Sequence, residues 1–188
     1  MRGPRPLAVL ALIVIANVGL LARAEVRIQP VPTDAGARVL ASFTARDAWT
    51  QNVREMLQHS QEVTFEFDAE LRRPAPTLLF FTGDPVLART RVSSSARFDT
   101  LAGNYQVKRM RNGRMVTSDR RDKETDVREW LTTIEQVALD PVAPLEPNSE
   151  YYVRVNLWVR PRHVTSVWSI LPLGRPDDTG RKDFPYVK

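Results

Sequence analysis

The sequence predicts an α+β protein built mostly of antiparallel β-sheet, open or folded into a β-sandwich, with two amphipathic helices. Three observations predict it. Residues 62–71 alternate without a break, with Val63, Phe65, Phe67, Ala69 and Leu71 on one face and Glu62, Thr64, Glu66, Asp68 and Glu70 on the other. Such a strand buries one face and wets the other. Residues 151–160 repeat the pattern, setting Tyr151, Val153, Val155, Leu157 and Val159 against Tyr152, Arg154, Asn156, Trp158 and Arg160. Between them, Asn112 and Gly113 supply the two positive-φ positions of a type I′ turn in a hairpin over residues 105–118. Hairpins and strands with one buried face argue against parallel βαβ winding.

The remaining elements follow in chain order. Residues 25–46 read as extended structure broken by a turn around Pro30, Pro32, Asp34 and Gly36. Residues 47–60 predict a helix with Asp47 as its cap and Trp49, Val53, Met56 and Leu57 as its apolar stripe. Residues 72–85 form a long proline-rich connection. Residues 86–98 return to a strand, with Arg89, Arg91, Ser93, Ser95 and Arg97 sharing a face. The second helix is expected over residues 123–139, where Val127, Trp130, Leu131, Ile134, Val137 and Ala138 keep helical spacing until Asp140 and Pro141 stop it. A proline-rich linker covers residues 142–149, and a polar tail, expected to be flexible, covers residues 172–188.

The amino-terminal 24 residues have the three-part layout of a secretory signal peptide: Arg2 and Arg5, an apolar run over residues 7–21, then Ala22, Arg23 and Ala24 before the first acid, Glu25. The apolar run is shorter than the roughly 20 residues of a spanning helix. The expected organisation is therefore a signal peptide at 1–24, one globular domain at 25–171 and the tail. The expected location is the periplasm or cell envelope, the alternative being an inner-membrane anchor formed by an uncleaved leader. The 188 residues contain no cysteine, which excludes disulfides, zinc–thiolate sites, a thiol nucleophile and a lipidated amino terminus. The net charge of +5 invites a nucleic-acid reading. Without residues 1–24, however, 24 basic residues face 22 acidic ones, a net charge of +2. That balance argues against nucleic acid as a partner.

The run VTFEFDAELRRP over residues 63–74, FDTLAGNYQV over 98–107 and LEPNSEYYVRV over 145–155 resemble a bacterial exported family, the domain-of-unknown-function family 4390. The resemblance covers roughly residues 26–168. It implies a small envelope protein with a signal peptide, and it brings no catalytic residues with it.

The candidate sites are surfaces. Leu78, Leu79, Phe80 and Phe81, with Val167, Trp168, Ile170 and Leu171, are apolar segments among prolines and form the preferred candidate patch for a partner protein or a peripheral membrane contact. They equally suit the end of a core. The alternative is a ligand face of Glu66, Asp68, Glu70, Tyr152, Arg154, Trp158 and Arg160. Its acids at every second residue suit an ion, and its aromatics and arginines suit a glycan. A ladder of charges across neighbouring strands accounts for the same residues without a ligand. His59 and His163 lie far apart, and the serine run at residues 93–95 lacks a nucleophile elbow. No catalytic residue, metal ligand or cofactor site is therefore assigned. The expected function is non-enzymatic: binding or assisting another envelope protein, such as an inner-membrane sensor or an assembly factor. The alternative is a glycan- or ion-binding envelope domain.

Overall fold

A computed structural model describes residues 25–75, 83–162 and 178–187. The fold is α+β and mostly antiparallel sheet, as the alternation predicts. In chain order it runs β1 (Glu25–Thr33), a 3-10 turn (Asp34–Gly36), β2 (Arg38–Arg46), α1 (Gln51–Gln58), β3 (Glu62–Arg72), β4 (Val86–Asp99), β5 (Asn104–Arg111), β6 (Arg114–Arg121), α2 (Glu124–Thr132), β7 (Thr133–Leu139), β8 (Ser149–Arg162) and β9 (Asp178–Tyr186). The strands form a three-stranded sheet ordered β1-β2-β7 and a six-stranded sheet ordered β6-β5-β4-β3-β8-β9, every pairing antiparallel.

The inner faces of the two sheets share one core. Phe43 of β2 meets Phe67 of β3 with ring centroids 5.2 Å apart. The Thr90 hydroxyl of β4 donates to the Ala138 carbonyl of β7 at 3.0 Å. Val63, Phe65, Phe67, Ala69 and Leu71 are all fully buried. Burying a side chain the size of Val, Leu or Phe stabilises by about 1.5–3 kcal/mol, so this strand organises the core. Val53 and Leu57 of α1 and Val127 and Leu131 of α2 join the same cluster. The hairpin turn forms as expected, with φ of 49° at Asn112 and 79° at Gly113.

Three expectations require correction. The first helix is capped by Thr50, whose side chain accepts from the Val53 amide, and not by Asp47. Asp47 instead occupies the turn before it, with φ of 59°. The second helix ends at Thr132, and residues 133–139 become β7. The cause is a bulge: Ala41 pairs with Val137 and Phe43 with Ile134, so Gln136 is extra, at φ of 50°. The bulge places Ile134 and Val137 three residues apart on the buried side, which mimics helical spacing. The tail expected to be flexible contains β9, paired with β8 from Ser149↔Tyr186 to Leu157↔Asp178. Its order comes from backbone pairing and from Gly180, whose missing Cβ would lie 2.5 Å from the Val26 carbonyl oxygen of β1.

Candidate functional site

The site that can be built is the outer face of the six-stranded sheet. The apolar residues Leu78, Leu79, Phe80, Phe81, Val167, Trp168, Ile170 and Leu171 lie outside the described residues, as does His163. The alternative ligand face is brought together. Glu66, Asp68 and Glu70 on β3 lie between β4 and β8, with Glu66 opposite Trp158, Asp68 opposite Asn156 and Glu70 opposite Arg154.

The expected wet face is largely closed. Asp68 and Glu70 are only 1% and 5% exposed. Arginines cover them, and the strand register explains how. Arg89 stands opposite Glu70 and Arg91 opposite Asp68, yet each guanidinium leans along the strand to the next acid. Arg89 grips Asp68 with two hydrogen bonds, Nε to Oδ1 at 2.8 Å and Nη2 to Oδ2. Arg91 reaches Glu66 at 3.1 Å. Glu70 receives Arg72 Nε at 2.8 Å and Arg154 Nη2 at 2.7 Å, with Arg89 at 3.8 Å. Burial alone would raise the Glu70 carboxyl, but the bonds from Arg72 and Arg154 outweigh it and hold the group below the usual glutamate value. It therefore stays ionised at neutral pH and does not suit the role of a general acid.

The aromatic members are buried rather than exposed: Tyr152 retains 3% and Trp158 9% of its surface. The Tyr152 hydroxyl donates to Asp84 at 2.7 Å, and the Arg181 guanidinium lies 3.7 Å from the ring centroid. Arg181 in turn pairs with Asp183 at 2.7 Å. Asp84 also accepts from the Ala75 amide at 2.8 Å, and this bond, helped by Tyr152, holds its carboxyl below the usual aspartate value. Burial and the Asp84 bond push the Tyr152 phenol up. Arg160 lies half-buried on β8, opposite Thr64. Two donors, Trp158 Nε1 and Arg154 Nε, are buried with no acceptor among the described residues. Also among the described residues, no group of three or more His, Cys, Asp or Glu side chains could hold a metal ion, and no helix is long and apolar enough to cross a membrane.

The sequence reading left Asp84, Arg181 and Asp183 outside the site, because they enter it from a loop and from the strand expected to be a tail. It also left out the β5–β6 hairpin. Residues 104–121 hold six basic residues and one acid, Asp119. That net charge of +5 exceeds the +2 of residues 25–188 as a whole, so counting charge element by element would have found it.

Residues 24–177 match the model of a family described as a domain of unknown function, DUF4390, and the chain belongs to that family. No curated protein and no solved structure matches the chain.

Proposed function

We propose that this chain is a non-enzymatic, exported envelope protein that works by contact with another protein. The observation that carries the reading is the way the outer-face acids are used. Glu66, Asp68 and Glu70 each have an arginine nitrogen within 3.1 Å. Carboxylates held in this way are poor metal ligands and poor proton donors. The leader-like composition of residues 1–24 supports export. A sensor or an assembly factor of the inner membrane fits such a location.

A second reading, a glycan- or ion-binding envelope domain, draws support from the buried donors Trp158 Nε1 and Arg154 Nε. Site-specific photo-crosslinking in cells separates the two. A crosslinker is placed in turn at Thr44, Ser93 and Thr117, on β2, β4 and β6. The protein-contact reading expects a discrete adduct to one identified envelope protein at one position and none at the others. It fails if no position yields an adduct above background, and retention of the purified chain on an anionic glycan then favours the second reading.

A further inference from the structure

We infer that the outer edge of β6 takes an acidic, extended segment of a partner protein as an added strand. This deepens the protein-contact reading and rests on it. β6 is the end strand of the six-stranded sheet, and no described strand pairs with its far side. Alternate backbone N–H and C=O groups along such an edge point outward unpaired. Seven of its eight residues are exposed. Met115 and Val116 are 61% and 56% exposed, and Met115 stands opposite the exposed Met110 of β5. The edge thus offers backbone hydrogen bonds and apolar contact area together, which is what strand addition uses.

Charge selects the occupant. Arg111, Arg114 and Arg120 are exposed on this hairpin, and Lys108 is half-buried. Asp119 is committed to Arg121, which also lies 5.6 Å from the Trp130 ring. A second copy of the chain is disfavoured. Two β6 strands related by a two-fold axis at their centre would set Arg114 opposite Arg121 twice, and like charges directly opposite destabilise a sheet. An acidic strand meets the same arginines with opposite sign and gains in both docking rate and register.

The test uses the full chain and an eight-residue probe peptide with glutamate at alternate positions and valine or threonine between. Binding is followed by fluorescence anisotropy, and amide hydrogen exchange locates it. The expected result is salt-sensitive binding that slows exchange at residues 114–121 by about tenfold or more. Binding should weaken by about tenfold or more in the R114E/R120E/R121E variant and when every second amide of the probe is methylated. The methylated probe keeps its charge and loses its hydrogen bonds, so this arm needs no altered protein. Equal binding of the methylated probe, or unchanged exchange at residues 114–121, overturns the inference. So does protection of β6 by vesicles of phosphatidylglycerol and phosphatidylethanolamine where the peptide gives none, or by self-association of the chain. If crosslinks then appear at Thr44 or Ser93, the protein-contact reading survives without β6. If none appears at any position, both fail.

Discussion

Glu70 illustrates how the outer face works at the level of one residue. It is nearly sealed from water and is held by two guanidinium groups. Replacing it with alanine leaves Arg72 and Arg154 without their shared anion and should cost about 1–3 kcal/mol, less than a fully buried pair because both arginines keep some solvent. The pH dependence follows from the lowered pKa. A carboxylate with a depressed folded-state value contributes fully above its unfolded value of about 4.3 and loses that contribution as pH falls through the folded value. Urea unfolding from pH 6 downward should show wild type losing stability below about pH 5. The E70Q variant should lose less over the same range, and parallel curves would contradict this. Arg109 plays the matching role on the inner side. Its Nη2 donates to the carbonyls of Trp130 at 2.6 Å and Thr133 at 3.2 Å, its Nε to Ser94 at 3.1 Å, and its guanidinium lies 4.1 Å from the Trp130 ring. It thus takes up carbonyls where α2 ends, and burial lowers its pKa. R109M should cost about 2–4 kcal/mol. R109K should recover little of this, because a lysine ammonium lacks the planar fork. Full recovery by lysine would show that charge alone matters there.

Among the elements, β3, β8 and the β5–β6 hairpin were legible because each carries a local signal: strict alternation or a positive-φ turn pair. The α2–β7 segment was not, since one extra residue at Gln136 converted strand spacing into apparent helical spacing. β9 was hidden for the opposite reason. Its sequence DTGRKDFPY has few apolar side chains, and its position depends on pairing with a partner about thirty residues earlier. Gly180 tests whether that strand is as closely packed as described. An added Cβ would meet a backbone oxygen of β1 at 2.5 Å and the Val26 Cβ at 2.9 Å. G180A should therefore destabilise by about 1–3 kcal/mol through overpacking. No change in melting would mean that the carboxyl-terminal strand is loosely held. The outer-face site was legible as a list of residues but not as an environment. Alternation placed Glu66, Asp68 and Glu70 on one face correctly, yet burial there depends on β4 arginines leaning across the register, on Arg154 of β8 directly opposite Glu70 and on Arg72 of β3 itself.

Across the whole molecule, charge is strongly segregated. The hairpin at residues 104–121 is +5 while residues 25–188 together are +2. The central sheet face is charge-matched and closed on itself, and its basic end is left open. The proposed function stands on the first half of that contrast, the pairing of the outer-face acids with arginines. A double-mutant cycle on Glu70 and Arg154, followed by urea unfolding with and without calcium or an anionic glycan, tests it most directly. A coupling of about 1–3 kcal/mol that neither additive changes is expected. Coupling below about 0.3 kcal/mol, with a ligand-dependent gain in wild-type stability that E70Q abolishes, would contradict it.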